Sequence, residues 1–292
     1  MEILETLEIQ SWAAAVPADV SARTVKALEW GKVLLAPLAF EISENEKRYL
    51  TPGCLEGKSK NVSFRPATGA LQGAVVAGTD KNALTAMLRR YCESASALIK
   101  ALCPEYRSSL TPGFTSFRPA EISGRATSWR KDDTRLHVDA FPSTPLQGRR
   151  ILRVFSNVNP SGKPRSWRIG EPVEDAAKRF ASKLSAPMPG SAFALQLFHI
   201  TKSRRTPYDH YMLQMHDQMK ADEEYQKTSK QLAFDFPAGT TWACYTDQVL
   251  HAASAGQHQL EQTFYLPVDG MLDPQRSPLR ILERAIGTSL VN

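Results

Sequence analysis

Two side chains able to bind a metal stand two residues apart near the middle of this sequence. His137 and Asp139 belong to the run Leu-His-Val-Asp-Ala-Phe-Pro at residues 136–142. On a β-strand, residues two apart point to the same face, so this imidazole and carboxylate would lie side by side. A histidine from another strand would complete a facial triad, which binds iron(II) and leaves coordination positions open. His251 is the candidate for this third ligand.

A turn and a strand come before His251. Pro237-Ala238-Gly239 predicts the turn, and residues 241–245 predict the strand. One of the other histidines lies in an apolar run, and two more are six residues apart on a predicted helix, a spacing that does not bring two ligands together. Three histidines are therefore predicted not to bind the metal: His199, His210 and His216.

Short strands separated by turns dominate from residue 125 onwards, which predicts a sandwich or a jelly roll. The apolar run 192–200 predicts a strand that is buried on both faces. The predicted strands are 135–141, 149–160 (which ends in a turn), 192–200, 232–236, 241–245 and 259–266.

Helices flank these strands in the prediction. Apolar residues at intervals of three and four predict a helix from residue 79 or 80 to 102. Thr206-Pro207 predicts the start of a second helix that runs to about residue 226. Residues 277–290 form a basic amphipathic tail, while residues 1–70 are predicted to contain only short strands and turns.

Composition limits the functional classes. The chain of 292 residues carries a formal net charge of +6, which favours an anionic partner. Its four dispersed cysteines suit a reducing compartment. The acidic N-terminus lacks the start of a secretory signal, and the longest apolar run, 33–40, is too short to cross a bilayer. We expect a cytoplasmic protein, at most peripheral to a membrane.

Some arginines and lysines have no obvious partner in the sequence. Ser-Phe-Arg-Pro-Ala occurs at residues 63–67 and again at 116–120. We favour coincidence for this repeat; the alternative is that Arg65 and Arg118 line an anion site. Lys202, Arg204 and Arg205 cluster before the second helix, either as a solvated turn or as a contact for substrate phosphates.

The order of these features resembles the iron(II)- and 2-oxoglutarate-dependent oxygenases. The resemblance implies an α+β, mainly β fold: a double-stranded β-helix, which is a cupin-like jelly roll, with flanking helices. It also implies that His137, Asp139 and His251 bind Fe(II), with 2-oxoglutarate and O2 as co-substrates. These three residues are the predicted catalytic and metal-binding residues.

The family needs a cation for the distal carboxylate of 2-oxoglutarate. The stretch after His251 where the family commonly places it, residues 257–266, holds neither Arg nor Lys. A minority of the family places the cation on the strand after the HxD motif, which corresponds to Arg153. Asn157 shares a strand face with Arg153, and Gln262 on the last strand could add a hydrogen bond.

Three stretches make the resemblance narrower: residues 129–143, 150–160 and 167–172. They look like the bacterial Kdo 3-hydroxylases, which hydroxylate 3-deoxy-D-manno-oct-2-ulosonic acid (Kdo) in the inner core of lipopolysaccharide. The resemblance implies Kdo-lipid A as substrate at the cytoplasmic face of the inner membrane, and the basic 276–284 tail is the candidate for peripheral contact with it. We predict one oxygenase domain over residues 1–292, with N-terminal strands and a supporting helix (1–124), a jelly-roll core (125–270) and a C-terminal helix (271–292).

Two other functions remain open. One is an oxygenase of the same type that acts on another anionic small molecule or lipid. The other is a cupin-like sugar-binding module without catalysis, in which the HxD motif and the second histidine would be idle. Nucleic-acid binding is not predicted, because no recognisable binding module alternates aromatic and basic residues. No protein partner is predicted.

Overall fold

The computed structural model describes residues 3–125 and 127–291. In this part of the chain the strands form one sheet of eight and one sheet of three. The strands are β1 (Leu4–Thr6), β2 (Val33–Ala36), β3 (Val62–Arg65), β4 (Ala70–Gln72), β5 (Thr111–Arg118), β6 (Arg150–Asn157), β7 (Arg165–Ile169), β8 (Leu232–Phe236), β9 (Thr241–Tyr245), β10 (His251–Ala255) and β11 (Gln259–Leu266). The large sheet has the order β1-β2-β9-β6-β11-β5-β3-β4, and the small one β10-β7-β8.

The centre of the large sheet is antiparallel. Strand β11 lies between β5 and β6, where Glu261 pairs with Ser116 on one side and Phe155 on the other. Because side chains of paired residues point to the same face, Arg153, two residues before Phe155, and Arg118, two residues after Ser116, share the face of Glu261. This face looks toward the small sheet and carries the charged side chains described below.

Seven helices flank the sheets in the described ranges. They are α1 (Ala18–Glu29), α2 (Gly78–Leu102), α3 (Val173–Ala181), α4 (Ser191–Leu197), α5 (Pro207–Ala221), α6 (Glu223–Thr228) and α7 (Pro278–Ile286). Helices α1 and α2 cover the outer face of the large sheet, where Leu28 and Ile99 pack in one cluster with Leu152, Val154 and Phe264. The opposite face of the sheet is therefore left for the site.

Aromatic side chains fill the space between the two sheets. Phe236 stacks on Trp242 with ring centroids 4.1 Å apart, and Trp167 meets Phe155 edge to face at 5.0 Å. These residues come from both sheets and belong to one buried cluster. Two facing sheets around a shared core, with helices outside, form the predicted jelly roll, an α+β and mainly β fold.

Several predicted elements are confirmed. The first predicted helix is α2, and the second begins with a capping box in which Thr206 and Asp209 exchange side-chain and backbone hydrogen bonds. Chain geometry also supports the turn before β9, because Gly239 has a φ of 78°, a conformation that glycine adopts at little cost. The helical stretch near residue 226 is divided, since α5 ends at Ala221 and α6 follows.

Three predictions of secondary structure are wrong. Residues 18–29 form helix α1, where we expected only strands and turns. The apolar run 192–200 is not a buried strand: residues 191–197 form helix α4, and most of its large apolar side chains are exposed. Residues 135–141 form no regular strand, and a single bridge joins His137 to His251.

The C-terminal tail is a packed helix. Leu279, Ile281 and Leu282 of α7 are buried in one cluster with side chains of α3 and α5. The apolar face of the tail is therefore packed against the rest of the protein, and Arg276, just before the helix, lies over the ring of Trp30 at 3.7 Å. The proposed three-part division of the domain stays a prediction, although β5 from the first part lies next to β11 in the large sheet.

No helix in the described part of the chain combines the length and the apolar character needed to cross a bilayer.

Candidate metal centre

The structure brings the three predicted metal ligands together. His137 and His251 form an antiparallel bridge in which each N–H donates to the other's carbonyl, at 3.0 and 2.9 Å. The N–H of Asp139 donates to the carbonyl of Thr246 at 2.8 Å, and this hydrogen bond fixes the backbone at the second ligand of the HxD segment. One ligand atom from each of the three side chains lies within 4.8 Å of the other two. In the described ranges this is the only such group of three or more His, Cys, Asp or Glu side chains.

Backbone carbonyls orient both imidazoles. Nδ1 of His137 lies 2.7 Å from the carbonyl oxygen of Arg135, and Nδ1 of His251 lies 2.8 Å from that of Val249. A carbonyl oxygen can only accept, so each Nδ1 carries the proton and each Nε2 keeps a free lone pair. This is the tautomer that metal-binding histidines use when the other ring nitrogen donates to a carbonyl.

Burial keeps the ligand set in the required protonation state. Burial, reinforced by the neighbouring His251, lowers the pKa of His137 well below its ordinary value, and burial also lowers the pKa of His251. Burial alone would raise the pKa of Asp139, but the positive charge of Arg153, together with smaller contributions from His251, Thr246 and His216, makes the net shift downward. Two neutral imidazoles and one carboxylate are the donor set of a facial triad, and such a set fits iron(II).

A charged network holds the carboxylate. Nη2 of Arg153 lies 3.2 Å from Oδ2 of Asp139, and its Nη1 lies 3.1 Å from Oε1 of Glu261. Glu261 also pairs with Arg118, whose Nε lies 3.3 Å from Oε2. The other oxygen of Asp139, Oδ1, lies 3.9 Å from Nε2 of His137 and faces the histidines.

Buried donors without acceptors surround the same cavity. Nε of Arg153, Nε of Arg165 and Nε1 of Trp167 are all buried and lack a hydrogen-bond partner among the described residues. All three residues line one cavity together with the triad. Burial and the positive charge of Arg118 lower the pKa of Arg165 to about 9, although nearby carboxylates, Glu121 first among them, partly oppose this shift. Leaving buried donors unpaired is costly, so this arrangement indicates a site for an anion.

Comparison with known proteins identifies the family. The sequence family described as 3-deoxy-D-manno-oct-2-ulosonic acid (Kdo) hydroxylase matches residues 11–289. The chain belongs to the Kdo hydroxylase family. Among curated proteins, no sequence matches it.

Solved structures of Kdo hydroxylases are similar over the whole fold. The Kdo hydroxylase KdoO in complex with alphaketoglutarate and Fe(III) is 50% identical, with 99% of this chain and 97% of that chain covered and a TM-score of 0.96. The cobalt(II) complex of KdoO gives 50% identity, 99% and 98% coverage and a TM-score of 0.97. The predicted resemblance to Kdo hydroxylases and the predicted fold are therefore confirmed.

Two residues predicted for the co-substrate do not reach the cavity of this Kdo hydroxylase family member. The side-chain amide of Asn157 donates to the carbonyls of Lys163 and Phe236 and serves a turn. Gln262 accepts from the hydroxyl of Thr115 and donates to a backbone carbonyl on its own strand. Both amides are occupied within the fold, whereas Arg153 lies where the prediction puts it.

Sequence reasoning missed Arg165 and Trp167. Both lie on β7, two residues apart, so they share the face that looks onto the triad. The alternation in Arg-Ser-Trp-Arg-Ile was a usable signal, because an arginine on the buried face of a strand needs a partner.

The repeated Ser-Phe-Arg-Pro-Ala segments pair with each other as antiparallel strands, with Ser63 opposite Ser116. Their arginines therefore lie at opposite ends of the pair. Arg118 lines the cavity, while Arg65 lies over Phe114 at 4.8 Å, so the two do not form one anion site.

Two other cavities differ in character. One of about 760 Å³ lies between α3, α6 and β8, and the described residues around it hold no metal-binding cluster. Another of about 500 Å³ is basic: its described lining contains no carboxylate and four cationic residues, Lys58, Lys60, Arg125 and Lys131. Lys60 also binds Asp133 at 3.2 Å, and Asp133 lines the cavity at the triad, so the basic cavity adjoins the candidate metal centre.

Proposed function

We propose that this protein is an Fe(II)- and 2-oxoglutarate-dependent dioxygenase that hydroxylates Kdo at carbon 3 in the lipid-A-linked inner core of lipopolysaccharide. The observation that carries the proposal is the set of unpartnered buried donors facing the facial triad. A 50% identical Kdo hydroxylase is described as a non-heme Fe(II) alphaketoglutarate dependent dioxygenase. The predicted enzyme class and cofactors are confirmed by this relationship.

Each site residue then has a role. His137, Asp139 and His251 would hold the iron(II), with the Nε2 atoms of both histidines free to bind it. When bound, the iron and 2-oxoglutarate together supply the oxidising power by which one oxygen atom of O2 enters a C–H bond while 2-oxoglutarate becomes succinate and CO2. The protein keeps both imidazoles neutral and correctly turned, and excludes bulk water from the cavity.

Arg153 and Arg165 are the cations for 2-oxoglutarate, with Trp167 as an additional donor. In the cavity, the arginines at 118, 153 and 165 are balanced by the carboxylates at 133, 139 and 261. With neutral histidines, a doubly charged iron leaves the site with two positive charges, which a dicarboxylate would neutralise. The free Nε–H groups would donate charge-assisted hydrogen bonds to the carboxylates of 2-oxoglutarate, and these bonds would offset the desolvation cost of the arginines.

The substrate assignment draws support from the basic cavity beside the triad. Kdo carries a carboxylate, and its lipid-linked form also carries phosphates, which Lys58, Lys60, Arg125 and Lys131 can bind as point charges. As a 3-deoxy sugar, Kdo has a methylene group at carbon 3, so a hydroxylase of this class has a C–H bond to attack there.

We place the protein in the cytoplasm, at the inner membrane surface, in peripheral contact with it. Cys54, Cys92, Cys103 and Cys244 are all buried and unpaired, as suits a reducing compartment. The net charge of +6 favours attraction to anionic lipids through a screened field.

A mass measurement tests the proposal. The iron-loaded protein is incubated with Kdo-lipid A, 2-oxoglutarate and O2, and the lipid product is weighed. We expect a gain of one oxygen atom that requires all three components, together with release of succinate. Intact binding of iron and 2-oxoglutarate without a mass change would exclude Kdo as the substrate, and fragmentation of the product locates the new hydroxyl.

A further inference from the structure

An exposed apolar surface surrounds helix α4. In the described residues nine large hydrophobic side chains are exposed, and five of them lie within residues 188–200. Their exposed fractions range from 57% to 76%: Met188, Phe193, Leu197, Phe198 and Ile200. Phe193 and Leu197 are four residues apart and therefore share one face of α4. Exposed apolar side chains concentrated in one segment indicate a surface that binds a partner or a membrane.

The charged side chains of this segment all have one sign. From residue 176 to residue 208 the sequence contains no Asp or Glu, but it contains Lys202, Arg204 and Arg205 directly after the apolar stretch. Lys202 and Arg204 are exposed, and Arg205 is half-buried. The partner that covers the apolar side chains therefore presents negative charge beside an apolar region.

The segment is attached to the loop that follows the candidate metal ligands. The N–H of Lys202 donates to the carbonyl of Ser143 at 2.9 Å, and Nη2 of Arg205 donates to that of Pro142 at 2.6 Å. Pro142 and Ser143 follow Asp139 by three and four residues. The apolar surface is thus tied to the backbone that positions the triad.

We propose that residues 188–205, the docking segment, insert into the head-group region of a bilayer that contains anionic lipids. The apolar side chains would enter the acyl boundary while Lys202 and Arg204 pair with lipid phosphates. The inference rests on the proposed function, because a lipid-linked substrate is reached at such a surface. A second copy of the chain fits less well, since a two-fold contact would bring the cationic clusters of both copies together.

Vesicle binding tests the docking segment. The full chain is sedimented with vesicles of phosphatidylethanolamine and phosphatidylglycerol, and with vesicles of phosphatidylcholine alone. We expect preference for the anionic vesicles and a loss of affinity of about tenfold or more in Phe193→Ser/Phe198→Ser, since two buried aromatic contacts are removed. Val75→Ser/Leu272→Ser is the matched control, because these side chains are 62% and 59% exposed elsewhere on the surface, and it should bind like the wild type.

A fluorescent label locates the contact. All four native cysteines are buried, so Phe198→Cys offers one accessible thiol for an environment-sensitive dye, and Val75→Cys offers another away from the segment. Anionic vesicles should shift the emission of the label at 198 to the blue and leave that at 75 unchanged. Equal shifts, or undiminished vesicle binding by the serine variant, would overturn the proposal.

The molecular mass in solution tests the remaining alternative, in which a second copy of this chain covers the apolar surface. If Phe193→Ser/Phe198→Ser converts a dimer into a monomer while vesicle binding persists, the surface joins two copies of this chain and the proposal fails. These assays contain neither Kdo nor 2-oxoglutarate. Normal vesicle binding without Kdo hydroxylation would therefore overturn the proposed function alone, and hydroxylation of detergent-dispersed substrate without vesicle binding would overturn the docking segment alone.

Discussion

Arg153 and Asp139 form an ion pair at the centre of the candidate site, with Nη2 of the arginine 3.2 Å from Oδ2 of the carboxylate. The pair occupies one oxygen of Asp139 and leaves Oδ1 facing His137. Arg153 keeps its Nε free for another acceptor. One side chain therefore orients a proposed metal ligand and also faces the proposed co-substrate.

Loss of Arg165 is expected to weaken 2-oxoglutarate binding without weakening metal binding. Arg165→Met removes a buried cation whose Nη1 donates to the carbonyl of Gly256 and not to a proposed metal ligand. Losing one partner of a buried charge pair costs roughly 2–5 kcal/mol. The dissociation constant for 2-oxoglutarate, measured by calorimetry on the cobalt(II)-loaded protein, should rise by a factor of about thirty or more. Arg168→Met, on the other face of β7, is the control and should keep the wild-type value.

Arg153→Met should affect both ligands. The substitution leaves Asp139 and Glu261 without their shared cation, so metal affinity and 2-oxoglutarate affinity should fall together. Titration with cobalt(II), followed by 2-oxoglutarate, measures the two constants separately. An Arg153→Met protein that binds 2-oxoglutarate like the wild type would assign the co-substrate to Arg165 and Arg118 instead.

Removal of a proposed metal ligand is expected to abolish turnover. His251→Ala deletes one of the two imidazoles, and because loss of even an outer-shell partner costs about 10–100-fold in metal affinity, loss of a ligand should cost more. Metal content and succinate release measure the effect. His216→Ala is the control: its ring lies 5.4 Å from that of His137, but its Nδ1 is paired with Asp217 at 2.9 Å. Equal metal loss in both variants would contradict the assignment.

The spacing of His137 and Asp139 predicted correctly that their side chains lie together, although the strand predicted to carry them does not form. Two-residue spacing places His137 and Asp139 on one side of any extended segment, so the ligand set is predictable even though only one bridge forms there. Helix α1 was missed because its buried face includes Ser21 and Thr24, which weaken the apolar periodicity. The run 192–200 was misassigned because an unbroken apolar stretch looks the same in a core strand and on an exposed surface.

The proposed co-substrate site was harder to predict because its residues come from several strands. Arg118, Arg153 and Arg165 come from β5, β6 and β7, and they meet only because of the strand order in the large sheet and the packing of the small sheet against it. A single sequence gives the face of each residue on its own strand, but not which strands become neighbours.

A buried ion pair away from the cavity is expected to matter for stability. Arg150 and Asp247 are both fully buried, with Nε 2.7 Å from Oδ2, and the guanidinium also lies over the ring of Tyr245 at 3.9 Å. Arg150→Met leaves the carboxylate buried and unpaired, so the free energy of unfolding should fall by about 3–5 kcal/mol. Urea unfolding measures the loss. Arg150→Met/Asp247→Leu should recover part of it, whereas an unaffected single variant would show that the pair is not stabilising.

The stability of the protein is expected to fall as the pH drops below about 6.5, in part because of His258. This side chain is 4% exposed, and burial lowers its pKa, while Glu121 partly opposes that shift. Between the ordinary histidine pKa and the lowered pKa of the folded state, His258 is protonated in the unfolded chain but not in the folded chain. The free energy of unfolding therefore decreases as the pH falls through this range. One such proton contributes at most about 1.4 kcal/mol per pH unit to the slope of the free energy of unfolding against pH.

His258→Asn tests this contribution against a closely matched control. Both His258 and His199 have positive φ, 58° and 54°, a conformation that asparagine tolerates, but His199 is exposed. Urea unfolding of each variant across this pH range, at saturating cobalt(II), gives the slopes. His258→Asn should lose stability less steeply with acid than the wild type, and His199→Asn should follow the wild type. If the two variants have the same slope, burial of His258 does not make the fold sensitive to acid.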